Sequence, residues 1–287
     1  MNKVPASSGA QWILDAFAMF RAAPGPFLLV AGVYAVGILV ATVLLKSAPV
    51  FGMLVLLVLT LMQPIFVGAL LLGAHDLADG KKPGNDLLQR VYASGKAPRL
   101  LLVLLPQIAA GIISGVLLYV MVGTQNLAHT MQVLEAIQNN PEAQAALMKD
   151  LPIAAFGRWA LISVVIGLIA AMFSFLAIPQ ILFGERRGFD AMGDSFRAVA
   201  SNIGAMVLAV VLFVITLIGL TIVFMIVTGL ISVIAGRGAA DLVSSFLQIL
   251  VLLPLQALMT FAAWRSVFGG QAPAARIDDA HHDQFHA

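Results

Sequence analysis

Six long, mostly apolar stretches divide this chain, at about 26–45, 50–74, 100–122, 153–183, 203–234 and 242–264. A bilayer core is about 30 Å thick, and a helix needs about 20 apolar residues to cross it. Composition agrees with that length argument. The chain is 61% hydrophobic and 10% charged, with a mean hydropathy of +0.99. Ordinary soluble domains carry about 25% charged residues. A soluble fold could not hide so much apolar surface, so the natural solvent is a bilayer. The expected fold class is all-α: a polytopic membrane bundle of six transmembrane helices, forming one domain over residues 1–265. The fourth and fifth stretches are long enough to tilt or to extend beyond the hydrocarbon.

The distribution of charge matters more than its sum. The net charge is only +2, which is no nucleic-acid signature. With both ends on one side, that side holds Lys3, Arg21, Lys81, Lys82, Arg90, Lys96, Arg99, Arg186, Arg187, Arg197, Arg265 and Arg276. The other side has only Lys46, Lys149, Arg158 and Arg237. The positive-inside rule then puts both termini in the cytoplasm of a bacterial inner-membrane protein. Trp12, Asp15 and Arg21 interrupt any short signal-peptide core, so the first apolar run reads as a retained anchor. There are no cysteines, which removes disulfides and thiolate chemistry.

The connections differ in kind. Residues 123–152 form the one long extracytoplasmic connection. In it Leu127, Met131, Leu134 and Ile137 recur at helical spacing. Asn139-Asn140-Pro141 should break that helix, and a second, Glu142–Leu151, should stop at Pro152. Lys46–Pro49 and Ala235–Ala240 read as tight turns. The tail from 266 to 287 reads as disordered and cytoplasmic.

A repeated pattern underlies the spans. An offset of 179 places Asp15 on Asp194, Phe17 on Phe196 and Gly25 on Gly204. An offset of 108 places Asp86 on Asp194 and Val91 on Val199. Each unit reads as an amphipathic helix followed by a pair of spans. Pro64, Pro179 and Pro254 lie in the second span of each pair, beside Gln63, Gln180 and Gln256. These six are the intramembrane polar and kink candidates. Pro106-Gln107 in the third span carries the same dipeptide, and prolines are common in membrane helices, so duplication and chance patterning both stay open.

Three amphipathic segments precede the pairs. Their apolar stripes are Trp12, Ile13, Phe17 and Phe20; then Leu87, Leu88, Val91 and Tyr92; then Met192, Phe196 and Val199. Such helices tend to lie in the headgroup plane; they also read as short connectors packed under the bundle, and the two readings are compatible. In the first case Trp12, Phe17, Phe20, Tyr92 and Phe196 are interfacial anchors. The lipid-headgroup candidates are Lys81, Lys82, Arg90, Lys96, Arg99, Arg186, Arg187 and Arg197.

Catalytic chemistry finds little footing. The span centres hold no Asp, Glu, Lys, Arg or His, which a proton- or sodium-coupled transporter usually needs. His75, Asp76 and Asp79 read as solvated interface residues rather than a metal site, and no cofactor motif is present. Gly111 and Gly115 form a small-xxx-small pattern that permits close helix contact.

The segment "GAQWILDAFAMFRAAPGPFLL", with Trp12, Phe17, Phe20 and Pro24, precedes six spans and a basic loop before "DSFRAVASN". Together these resemble a family of uncharacterised six-helix bacterial inner-membrane proteins. The chain is also similar to the membrane domain of some glycerophosphodiester phosphodiesterases, without their catalytic domain. That resemblance implies the fold and cellular setting, and no activity. Two roles follow. One is a non-enzymatic protein that organises membrane lipids, anionic ones included, or partner proteins through its basic amphipathic face. The other is a transporter or channel for a small or amphipathic solute, lined by the proline–glutamine sites.

Overall fold

The computed structural model describes residues 1–139 and 148–269, and those residues form helices, turns and short 3₁₀ segments only. Helix α1 is Ser8–Ala22, followed by the spanning pair α2 (Pro24–Ser47) and α3 (Pro49–Ala78). Next come α4 (Leu87–Ala93), α5 (Ala97–Leu101), a 3₁₀ segment (Leu102–Leu104) and α6 (Leu105–Asn139). A 3₁₀ turn at Met148–Asp150 precedes α7 (Ile153–Ser174) and α8 (Ala177–Phe183). The chain then forms α9 (Gly188–Ser201), α10 (Ile203–Ala235) and α11 (Arg237–Phe268). Six of the helical stretches are long and apolar enough to cross a membrane. This is an all-α, multi-pass membrane bundle.

Local chemistry sets the joints. Pro24 and Pro49 open α2 and α3, where a missing N–H costs nothing and φ is already helical. The expected turn at 235–240 shrinks to one residue, Gly236, whose φ of +82° is open to glycine and strained for other residues. The helix expected after residue 123 is a continuation of the third span. Gly123, at φ +79°, bends α6, which then runs on to Asn139. Met131 and Leu134, from the stripe expected there, are exposed, whereas Val133 is buried. Most of the second expected loop helix, 142–147, lies outside the described residues. Its end, Met148–Asp150, is a 3₁₀ turn. At the C-terminus the last helix passes the expected start of the tail, and Val267 is fully buried. Residues 270–287 lie outside the described residues.

The helices are unevenly packed. The hairpin α2–α3 packs on the hairpin α10–α11, chiefly through α11. The middle hairpin, α6–α7, is held by its own two helices and comes close to none of α2, α3, α10 and α11 beyond isolated points. The core gathers at the end that carries α1, α4 and α9, here called the basic end. The segments after Pro64, Pro179 and Pro254 meet there, with Ile65, Leu70, Leu71, Ile181 and Leu258 buried. Physical chemistry accounts for the position. In hydrocarbon, a Leu or Val gains nothing by choosing protein over lipid. Near water, the same side chain must be covered by protein. The exposed valines and isoleucines accordingly lie on the spans, as in α10, where only 6% of the most apolar window is buried.

Each short helix lies on the hairpin before it. Helix α4 packs on α3, α9 packs on α7 and α8, and α1 packs on α11 and α10, closing the cycle. Among residues in register under the two offsets, Ala16, Leu87 and Ser195 are all buried.

Candidate functional site

The basic end is the one region where charge, aromatic rings and buried polar groups converge. Its short helices turn their apolar stripes into the protein. Trp12 is 1% exposed, and its indole N–H reaches Ser266 Oγ at 2.9 Å. Phe17 and Phe20 pack against the core, and Phe196 stacks on Phe173 with ring centroids 4.6 Å apart. Of the five expected interfacial anchors, Tyr92 alone is mainly exposed, its hydroxyl 3.7 Å from Met62 Sδ. These helices pack under the bundle as connectors would, with Phe17, Phe20 and Phe196 half-buried, which is compatible with a position at the headgroup level.

The eight basic candidates divide into two classes. Arg90 forms a two-pronged bond with Asp76 on α3, with Nη2 3.0 Å from Oδ1. The hydrogen bond to Asp76 raises the Arg90 pKa above its ordinary value, against an opposing desolvation. Lys96 Nζ donates to the Leu182 carbonyl at 2.7 Å. Arg186 and Arg197 both reach the Asp194 carboxylate, at 3.0 and 3.7 Å. Lys81 pairs with Asp79 at 3.4 Å. These five serve the fold first. Lys82, Arg99 and Arg187 are exposed and have no side-chain partner among the described residues.

Two of those three are brought together by tertiary packing. A Cβ built on Gly188 would lie 3.5 Å from the carbonyl oxygen of Arg99 and 2.8 Å from Leu102 Cδ1. Gly188 therefore lets the start of α9 sit directly on the α5 segment. Arg99 and Arg187, far apart in sequence, share one edge, with the exposed Phe189 beside them.

The proline–glutamine candidates do not form a common lining. Pro64, Pro179 and Pro254 are buried. Gln180 is buried too, but its Oε1 accepts the Trp264 indole N–H at 3.2 Å. Gln63 is half-buried and Gln256 is exposed on the outside of α11. Thr42, Thr60, Thr216 and Thr228 return their hydroxyls to the carbonyl four residues earlier in their own helices. Gly111 and Gly115 have open space where a Cβ would stand, so the small-residue pattern marks no close contact among the described residues. Close backbone approaches occur at Gly52, against Leu45 of α2, and at Gly9. A Cβ there would overlap the Ala205 carbonyl and lie 2.8 Å from the Ala209 amide nitrogen.

His75 and Asp79 pair at 3.3 Å, while Asp76 turns away to Arg90. The three do not converge, and no cluster able to hold a metal occurs among the described residues. Around them sits an aromatic group. The Phe183 ring lies tilted against His75, centroids 4.6 Å apart, and meets Trp264 at 5.1 Å and Phe261 at 5.9 Å.

Two residues for which the sequence suggested no site role are central. Ser195 is fully buried; its Oγ accepts the Leu176 N–H at 3.0 Å and donates to the Met172 carbonyl at 2.7 Å. It stands on the stripe Met192–Val199 at helical spacing, which was the available signal. Asn202 is buried at the α9–α10 joint. Its Oδ1 accepts the Val4 N–H at 2.8 Å, and its Nδ2 donates to the Ala198 carbonyl at 2.9 Å and the Asn2 carbonyl at 3.3 Å. Among the described residues no buried side-chain polar atom lacks a partner. No family model matches this chain, and no curated protein and no solved structure matches it either.

Proposed function

We propose that this protein is a non-enzymatic component of the bacterial cytoplasmic membrane that engages anionic lipid headgroups through its basic, cytoplasm-facing end. The observation that carries this role is the shared edge of Arg99 and Arg187. Two exposed arginines without side-chain partners among the described residues are carried there on backbone segments that meet at Gly188, and the exposed Phe189 follows in the chain. Guanidinium forks match phosphate oxygens in geometry. An aromatic ring suits the headgroup level. Lys82, next to the end of α3, adds a third free cation on the same end. The paired cations are poor candidates, because a headgroup would have to displace Asp76, Asp79 or Asp194. Transport along the proline–glutamine sites finds less support, since Gln180 is engaged and Gln256 faces outward.

Each juxtamembrane Lys or Arg contributes about 1 kcal/mol of attraction to an anionic surface. Replacing Lys82, Arg99 and Arg187 by Ala should therefore cut the enrichment of anionic over zwitterionic lipid up to about a hundredfold. The readout is lipid retained by the purified protein after equilibration with mixed vesicles. The double replacement of Lys81 and Arg186 by Ala should change it little. Equal retention by the wild type and the triple variant would overturn the proposal.

A further inference from the structure

The middle hairpin leaves the basic end through two breaks at the same level. On the way in, the helix tightens to 3₁₀ at Leu102–Leu104 before α6 begins. On the way out, α7 ends at Ser174 and α8 starts at Ala177. Each break lies four residues before a proline, Pro106 and Pro179, whose missing N–H leaves the carbonyl of Leu102 or Phe175 without its helical donor. Gln107 Nε2 donates to Ser174 Oγ at 3.0 Å, directly linking the two strands just beyond the breaks. Pro64 and Pro254, by contrast, sit inside unbroken helices.

Beyond the breaks the hairpin is tied to itself. Ser114 and Ser163 share a 2.7 Å hydroxyl bond, and the Trp159 indole N–H reaches the Ser114 carbonyl at 2.9 Å. Apart from α9, which packs on the end of α7 next to the break, the rest of the bundle touches it only at isolated points. At the breaks, α9 holds both helical segments, and Phe196 stacks on Phe173 at the end of α7. Gly188 lies against Leu102, and the Ser195 hydroxyl is inserted between the Leu176 amide and the Met172 carbonyl. That amide and carbonyl are four residues apart, so without Ser195 they would bond to each other and close the helix.

We propose that α6 and α7 form a rigid arm that swings as one body about the line through Leu102–Leu104 and Phe175–Leu176, with Ser195 of α9 holding the break open. Short 3₁₀ stretches inside helices often mark hinges, and rigid elements joined by a few such residues move as units. The arm stands on geometry alone and does not depend on lipid binding. It also gives the cationic edge of α9 a mechanical connection into the membrane.

The cysteine-free chain allows a direct test with paired spin labels in nanodiscs. Val120→Cys with Leu161→Cys reports within the arm. Phe51→Cys with Val233→Cys reports between the two packed hairpins. Val120→Cys with Val233→Cys reports across the hinge. The expected result is a cross-hinge distance distribution about twice as wide as the other two. Ser195→Ala should shift its mean while leaving the within-arm pair unchanged, and Ser195→Thr should restore the wild-type position. A cross-hinge distribution as narrow as the references overturns the hinge, whether or not Ser195→Ala yields folded protein. A within-arm pair that broadens in Ser195→Ala overturns the rigid arm.

Discussion

The indole N–H of Trp12 meets Ser266 Oγ at 2.9 Å, joining the first helix of the chain to the last. With the Asn2 N–H on the Val267 carbonyl at 2.8 Å, it closes the cycle in which each short helix lies on the preceding hairpin. Trp12→Ala should therefore destabilise the whole bundle by about 3–5 kcal/mol, the usual cost of emptying a buried aromatic site. Trp12→Phe keeps most of the volume and loses the hydrogen bond, at about 1–2 kcal/mol. Unfolding in mild detergent, followed by intrinsic fluorescence or denaturant titration, separates the two.

Asp76 is nearly buried and depends on Arg90. Arg90→Ala leaves a carboxylate in a poor medium and should cost about 3 kcal/mol, near the lower bound for broken buried pairs because Arg90 is partly exposed. Asp76→Asn combined with Arg90→Met should recover much of that loss. A double-mutant cycle measures it; strict additivity of the two single changes would show that the pair is not coupled.

Glycine positions should separate sharply. Gly9→Ala drives a methyl group into the Ala205 backbone, which cannot retreat without moving α10, and should reduce the yield of monodisperse protein severalfold. Gly111→Ala and Gly115→Ala meet open space and should change stability by no more than about 1 kcal/mol, with either sign. Size-exclusion profiles of the three variants decide the matter.

The glutamines should behave unlike one another. Gln180→Leu removes the partner of the half-buried Trp264 indole N–H and should cost about 1–2 kcal/mol. Gln256→Leu replaces an exposed side chain within an apolar span and should leave the melting temperature unchanged or raise it. Thermal unfolding of both in one detergent is the measurement. Similar losses from the two would place Gln256 in a polar contact after all.

Much of the membrane architecture is legible in the residues themselves. The span 26–45 appears as Pro24–Ser47 and the span 203–234 as Ile203–Ala235. The period and length of an apolar run depend only on the chain and on the thickness of the bilayer. Asn202 at the entry to α10 stands where the polar-to-apolar switch put it. The candidate site was less visible. Eight cations looked alike, and only packing separated Lys82, Arg99 and Arg187 from five that already hold Asp76, Asp79, Asp194 or the Leu182 carbonyl.

Sequence by itself therefore determined the number of candidate spans and the clustering of charge in the connections on one side, because those follow from local hydropathy and composition. Tertiary structure alone decided which side chains face water, lipid or protein. An amphipathic stripe carries no label for what will cover it, and Trp12 on α11 satisfies the same physics as Trp12 in a headgroup layer. Nor does a proline declare whether its helix will break. Pro64 and Pro254 remain inside continuous helices, whereas at Pro179 a serine from another helix supplies the hydrogen bonds that keep the gap open.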